Sequence, residues 1–523
     1  MHKWEKIRII KNVSSNWLSL AINVVIGIVL SPFIVHRLGD AAFGIWVLIF
    51  SITGYYGIFD LGIRSAVIRY VSKSAATNDT EGLAKVINTN LFIYTCTGVL
   101  SMLVSVVLSM QVDAFFRIPP EFHTTARWLV LMTGASVAVG FPLGMMGGIL
   151  EGLQRFYVLS WTNIASNVLR ALLIVVALTH GYGLLMIAFI TVGLATLSSL
   201  LRCVIAMRIC PVPFGIRYIN WKTFTSTARY GGVTFIIMIA TRLKFKSDEI
   251  VLGAMMSAAA ITYFNFGARI VDYAGNLVTA LTQIFVPMAS HSEAVGDVDR
   301  LRNIFVTGNR FCAFTIFPIC ATLIILGKSV IEVWVGKKYV ATSYPVLVIM
   351  ISCCTLLWAQ GASGRLLLGI GKHRTWAIVT LIEGICNVLL SIILVRPYGI
   401  IGDAFGTAIP MACSMILFMP RHICRLLDIR LSTYLREAYV LPLATCVPLT
   451  LTLLAMRHWF VAHHYLQLGI QLLVGGVVYG LALGWAFLSG RATRAVKFSP
   501  SPLKSIESIR LAPAPVESFQ QEN

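Results

Sequence analysis

Long apolar runs, each close to the length of a bilayer-spanning helix, recur from one end of this chain to the other, and nothing else in it limits the fold as severely. Runs near 17–37, 43–63, 88–111, 128–150, 158–179 and 184–207 are followed by a second set near 229–253, 259–287, 311–335, 344–368, 376–395 and 400–419. Two more lie near 438–456 and 466–489. A helix needs roughly 20 mostly apolar residues to cross the hydrocarbon layer. The expected fold is therefore all-α and integral to a membrane, with about fourteen transmembrane helices. Of the 523 residues, 57% are hydrophobic and only 12% charged, against about 25% charged in a soluble domain. A water-soluble core is excluded. The first run is long enough to span and shows no small-residue cleavage pattern, so it reads as a span, not a secretory signal.

The net charge of +20 does not point to nucleic acid, because Lys and Arg form no patch. They sit in short blocks between apolar runs, notably at 3–11, 64–85, 208–229, 300–310, 421–436 and 491–510, all on one side of the expected topology. The opposite side holds only Arg37, Arg117, Arg127, Lys337, Lys338, Arg396 and Arg457. Positive loops stay in the cytoplasm, so both termini are expected there, with the protein multi-pass in the cell's inner membrane. The 11 Cys lie mostly inside apolar runs, at neither metal-ligand nor disulfide spacing, and His463-His464 reads as a polar loop. No metal or cofactor is expected. No GxxxxGK[ST] motif exists, the GIGK at 369–372 is too short to stand in for one, and the longest loop, about 208–228, cannot hold an ATPase domain. The tail from 491 to 523 is rich in Ser, Pro and Ala, cannot bury a core, and is expected to be disordered.

The chain also repeats itself at roughly 215 residues. LEGLQRF (150–156) aligns with LLGIGKH (367–373), SNVLRALLIV (166–175) with CNVLLSIILV (386–395), and YGLLMIAF (182–189) with YGIIGDAF (398–405). The reading is two six-helix lobes, 1–214 and 215–432, followed by two peripheral helices at 433–490. An even helix count per repeat gives both lobes one orientation, related by an axis along the membrane normal, with a cavity between them.

Charges inside the spans indicate what that cavity holds. Arg202, Lys328 and Arg365 lie near span ends and can snorkel. Arg170, Arg242, Lys244, Lys246 and Arg269 lie deeper, where a charge costs about 2.5–3.5 kcal/mol or more unless it faces a cavity or a partner. In the eighth span Asn265, Arg269, Asp272, Asn276, Thr279 and Gln283 follow steps of three and four residues, which puts them on one helix face. That stripe lines a water-filled cavity or packs against neighbouring helices, with Arg269 and Asp272 as an intrahelical pair. Shorter stripes are Ser15/Ser19/Asn23/Gly27/Ser31, Asn163/Asn167/Arg170, Glu383/Asn387/Ser391 and Asp403/Thr407/Ser414. Close helix packing accounts for these equally well. The deep set in the fifth, seventh and eighth spans is mostly cationic. The expected binding residues for an anionic substrate are Arg242, Lys246, Arg269, Arg170, Asn265 and Asn276, because guanidinium and ammonium groups meet phosphate oxygens by charge-assisted hydrogen bonds. Asp272, Glu383 and Asp403 are the candidates for ion coupling. Pro32, Pro142, Pro287, Pro318 and Pro410 interrupt spans and offer kinks or hinges.

Two segments then carry a resemblance. SPFIVHRLGDAAFGIWVLIFSITGYYGIFDLGIRSAVIRYVSK (31–73), with its Pro, its LG and FG-W, and the DLG at Asp60, resembles the start of the polysaccharide transporter family, and GGILEGLQRF (147–156) adds to it. That family belongs to the multidrug/oligosaccharidyl-lipid/polysaccharide exporter superfamily. The resemblance implies a MATE-like fold and a transporter, not an enzyme. It implies flipping of a polyprenyl-diphosphate-linked oligosaccharide from the cytoplasmic to the periplasmic leaflet by rocking lobes, for O-antigen or exopolysaccharide synthesis. Membrane lipid receives the polyprenyl tail, a proton or sodium gradient can drive the cycle, and a polysaccharide polymerase or export machinery would take the product. The family shares no tight residue set that could be carried over onto this sequence. Asp60, at a cytoplasmic helix end, fits a structural cap as readily as a substrate contact. Two alternatives stay open: a multidrug antiporter of the same superfamily, which would need cavity acids, and a polysaccharide polymerase or ligase, which would need a larger periplasmic loop than 112–127.

Overall fold

The computed structural model describes residues 3–60, 62–77 and 79–493; the tail expectation therefore falls almost wholly outside the described residues. In chain order the helices are α1 (Lys3–Leu38), α2 (Asp40–Tyr55), α3 (Ile63–Thr77), α4 (Thr80–Phe115), α5 (His123–Gly152), α6 (Phe156–Thr179) and α7 (Leu184–Ile209). Then come α8 (Trp221–Lys246), α9 (Asp248–Met255), α10 (Ala258–Thr282), α11 (Phe285–Ala294), α12 (Val298–Trp334), α13 (Lys337–Ala359) and α14 (Gly361–Gly369). The last are α15 (Arg374–Cys413), α16 (Met419–Leu426), α17 (Leu431–Leu435), α18 (Leu441–Trp459) and α19 (Tyr465–Leu488). No strand occurs among the described residues.

By length and apolarity alone, 11 segments among the described residues qualify as membrane spans, against the fourteen expected. One of them, Arg374–Leu426, holds two of the expected spans. Gly399 inside it has φ 57°, and Gly402 and Gly406 lie against Leu394 and Ser391, so the chain doubles back there as an antiparallel pair. The other two unqualified helices, α8 and α10, have 26 and 25 residues, ample to cross, but carry the charges predicted from their sequence.

Polarity is arranged as a bilayer demands. Met110, Phe189 and Leu481 are 73%, 63% and 71% exposed on the outside of the bundle. Asn90, Ser101, Ser105, Asn309 and Ser363 are buried inside it, where hydroxyls bond to carbonyls of the preceding turn and Asn309 bridges Ser363 and Tyr434. In lipid every polar group must find its partner within the protein.

The helices pack in two groups. In the first, α4, α5 and α7 pack in sequence and α1 lies on α6. In the second, α15 packs on α8 and α13, and α12 and α10 pack on α13. The groups meet where α2 runs along α10, α9 and α8 and where α8 packs against α3 and α4. Helices α18 and α19 lean on α12, fastened by Tyr479, which donates to the Phe314 carbonyl at 2.5 Å, and by buried Arg310, which reaches Glu437 and the Ala492 carbonyl. The two segments quoted for their family resemblance form one joint. Arg64, four residues after Asp60, pairs with Glu151 at 2.6 Å, Asp60 accepts from Tyr94, and Gly152 touches Val71.

Helices α4 and α5 approach through small residues. A side chain on Gly98 would stand 2.5 Å from the Ala138 carbonyl oxygen. Gly98→Val is expected to destabilise the protein by about 1–3 kcal/mol, the usual effect of overpacking. Gly140→Val, where nothing lies within 4 Å, should change little. Thermal unfolding in detergent separates the two, and equal melting temperatures would show that α4 and α5 do not pack this closely.

Candidate functional site

Between the two groups of helices lies a cavity of about 430 Å³. Its wall draws on both. From the first group come Asn23, Gly27 and Ser31 of α1, Ser51 and Gly54 of α2, and Arg170 of α6. From the second come Arg242 and Lys246 of α8, Glu249 of α9, and Asn265, Arg269, Asp272 and Tyr273 of α10. Six residues singled out from sequence, namely Arg170, Arg242, Lys246, Asn265, Arg269 and Asp272, thus share one cavity. Asn276, one turn beyond Asp272, is exposed and does not line it; neither do Thr279 and Gln283, also exposed. The stripe on α10 therefore begins in the enclosed space and continues out along an open face.

Charge in the cavity is unbalanced. Among the described residues, Arg170, Arg242, Lys246 and Arg269 face only Glu249 and Asp272. Glu249 is already engaged, with Lys246 Nζ at 3.6 Å and Ser51 Oγ donating at 3.3 Å. Arg269 donates to Asn265 Oδ1 at 3.5 Å, and no ion pair to Asp272 occurs among the described residues. The Arg242 guanidinium lies over Gly54 and Gly57, where a side chain would come within 3.4 and 3.2 Å of its nitrogens. Neither Arg170 nor Arg242 meets a carboxylate within bonding distance among the described residues. Half-buried guanidinium groups without a counter-ion hold their place at a cost unless an anion visits.

Glu383 and Asp403 lie elsewhere, in a buried polar cluster on the far side of α8. Glu383 pairs with Lys244, and both are almost fully buried; Ser414 Oγ donates to the other Glu383 oxygen at 2.8 Å. Asn387 donates to the Lys244 carbonyl at 2.9 Å, and its own Oδ1 accepts from Ser391 and Thr407 at 3.1 Å each. Thr407 also lies 2.8 Å from Asp248 Oδ1. Asp403 is fully buried, and neither carboxylate oxygen has a hydrogen-bond partner among the described residues. The two stripes of α15 therefore face each other across its reversal and enclose Asp248; they do not face the cavity. Sequence spacing located both stripes but carries no sign of which surface a stripe meets. Asp248 and Glu249 lay outside the expected site, near the far end of the 229–253 run; the structure breaks that run at Ser247 and begins α9 with this pair. The stripes on α1 and α6 do both jobs: Asn167 donates to Asn23 at 2.5 Å and Ser160 to Asn16 at 2.6 Å, packing the helices while Asn23 lines the cavity.

Residues 9–293 match the model of the family described as polysaccharide biosynthesis protein. The chain belongs to that family. Among relatives of this family member, the Bacillus subtilis uncharacterized membrane protein EpsK is 21% identical, over 81% of this chain and 85% of its own. A protein named as an O-antigen transporter in Shigella flexneri is 21% identical, over 78% and 96%. A Haloferax volcanii protein named as a flippase, AglR, is 23% identical, over 75% and 79%. Among solved structures, lipid II flippase MurJ in its inward closed conformation aligns with TM-score 0.70 at 15% identity, over 93% of this chain and all of that one. An inward-facing multidrug resistance MATE family transporter aligns with TM-score 0.64 at 16% identity, over 80% and 95%. At such identities these two establish the fold alone: this chain has the architecture of the MATE and MurJ membrane transporters.

Proposed function

We propose that this protein flips a polyprenyl-diphosphate-linked oligosaccharide from the cytoplasmic to the periplasmic leaflet of the inner membrane, for surface polysaccharide synthesis. The observation that carries the proposal is the inter-group cavity in which Arg170, Arg242, Lys246 and Arg269 outnumber Glu249 and Asp272. A diphosphate supplies the missing negative charge, and its oxygens suit the forked donors of Arg. Relatives named as an O-antigen transporter and as flippases support the substrate class. The residues 1–214 and 215–432 act as two lobes rocking about the cavity, 433–490 stay peripheral, and both termini are cytoplasmic. In this reading fourteen helices cross the membrane, with α8 and α10 carrying their charges toward the cavity. The protein is a transporter with no catalytic step of its own.

The coupling ion is a proton or sodium. Asp403 supports this: a buried carboxylate without a donor needs a proton or a cation to sit where it does. Asp272 in the cavity wall would relay charge between the two regions, while Glu383, tied to Lys244, holds α15 to α8.

The test is translocation in proteoliposomes. A polyprenyl-diphosphate oligosaccharide is loaded on one leaflet and its arrival on the other is scored, under proton and sodium gradients in turn. Movement driven by one gradient, and loss of that drive in a folded Asp403→Asn variant, are the expected results. Failure of the wild type with several oligosaccharide donors, together with efflux of a cationic drug, would move the assignment to a multidrug antiporter, which Glu249 and Asp272 in the cavity would then serve.

A further inference from the structure

At one end of the cavity the two groups of helices close on each other, and one carboxylate there collects donors from across the seam. Asp40 begins α2, directly after Gly39, whose φ is 83°. Its oxygens lie 3.0 Å from Lys338 Nζ, 2.6 Å from the Tyr339 hydroxyl and 3.2 Å from the Tyr263 hydroxyl, and its carbonyl accepts from Thr262 at 2.7 Å. Asp40 belongs to the first group of helices, and all four donors belong to the second. Among the described residues no other acid draws so many donors from the opposite group of helices.

Beneath Asp40 the two groups are in backbone contact. A side chain added at Gly44 would stand 1.7 Å from the Ala258 carbonyl oxygen, and Phe43 stacks on Phe266 with centroids 5.3 Å apart. Trp334 of α12 donates to the Ile28 carbonyl of α1 at 2.6 Å. Asn276, Thr279 and Gln283, farther along α10, are exposed. Any motion that opens the shut end must pull Asp40 from its donors. Asp40 itself is mostly covered, with its side chain 18% exposed, whereas Lys338 is 59% exposed. The hydroxyls of Tyr339 and Tyr263 therefore supply the shielded part of the hold, and Lys338 the water-facing part.

We propose that Asp40, gripped by Lys338, Tyr339 and Tyr263, is the clasp of the exit gate, and that its release sets how often the cavity opens on that side. This rests on the flippase reading for what leaves through the gate, but not for the gate itself. Asp40 touches no substrate in this account; it is a positioning residue that acts through the helices it joins. A carboxylate is the right group for a reversible clasp. It accepts several strong hydrogen bonds while closed, and water solvates it well once open, so neither state leaves it stranded.

The experiment reads gate opening without substrate. A cysteine replaces Ser31, which lines the cavity, in a background freed of the 11 native Cys. The protein is reconstituted, and a membrane-impermeant maleimide is added on the Asp40 side. Labelling should be slow with Asp40 present and about tenfold faster or more with Asp40→Asn or Asp40→Ala, since each removes charge-assisted hydrogen bonds. Lys338→Met, which leaves both tyrosines in place, should give a smaller rise. Each variant is first shown to be folded by size exclusion. Equal labelling rates in all folded variants would overturn the clasp and leave the flippase reading untouched. Faster labelling with no oligosaccharide movement by the parent protein would keep the clasp and remove the flippase reading.

Discussion

Arg269→Ala is expected to slow translocation of a diphosphate-linked oligosaccharide by roughly 10- to 100-fold, the loss that follows when one charge-assisted contact of about 1.5–3 kcal/mol disappears. The guanidinium reaches the cavity from α10 on one turn with Asn265 and is tied to no carboxylate among the described residues, so its donors are available to a ligand. Arg170 enters the same space from α6, in the other group of helices, close enough for the two cations to repel each other. An anion between them converts that repulsion into a bridge. Arg269→Lys should recover part of the rate, because it restores charge but not the planar fork. The double variant Arg170→Ala/Arg269→Ala should lose less than the product of the single losses, since both would act on one diphosphate. Translocation at the wild-type rate by a folded Arg269→Ala protein would show that the diphosphate binds elsewhere.

Lys244→Ala should destabilise the folded protein by about 3–5 kcal/mol, because it strands Glu383 as a buried charge. Both members are almost fully buried, and the pair joins α8 to α15, which also pack on each other along their length. Glu383→Gln removes the opposite charge and should be comparably harmful. Lys244→Met/Glu383→Leu replaces the pair by apolar groups of similar size, and such replacements are often neutral; it should restore most of the lost stability. Thermal unfolding in detergent reads all three. A double variant as unstable as the singles would mean that the surrounding bonds of Ser414 and Asn387, and not the ion pair, set the stability of this region. Loss of transport in that stable double variant would in turn assign the pair a part in the cycle beyond holding two helices together.

These two sites illustrate how unevenly function was legible. Arg269 was visible from spacing, because a polar residue every three or four positions in an otherwise apolar helix has few explanations. Lys244 lies two residues from Arg242 and Lys246 and looks the same in sequence, yet it points away from the cavity into the polar cluster with Glu383. Residues two apart on a helix lie on nearly opposite faces, so one of these cations had to turn from the cavity, but spacing does not say which. The cluster around Asp248 and Asp403 required the hairpin at Gly399, which brings Asn387 to Thr407 and Glu383 to Ser414. Asp40 gave no signal as a clasp. Its donors lie more than two hundred residues away, at Thr262, Tyr263, Lys338 and Tyr339.

The sequence by itself determined that this chain lives in a bilayer, because apolar length and scarcity of charge are properties of each segment taken alone. It also marked the cationic helices and, through LGDAAFGIW and DLG, the family. Only the tertiary structure decided which stripes meet each other and which meet open space, and where the two groups of helices touch. Those are relations between segments far apart in the chain, fixed by packing at Gly44, Gly98 and Gly406 and by buried polar groups finding partners, and no local pattern records them.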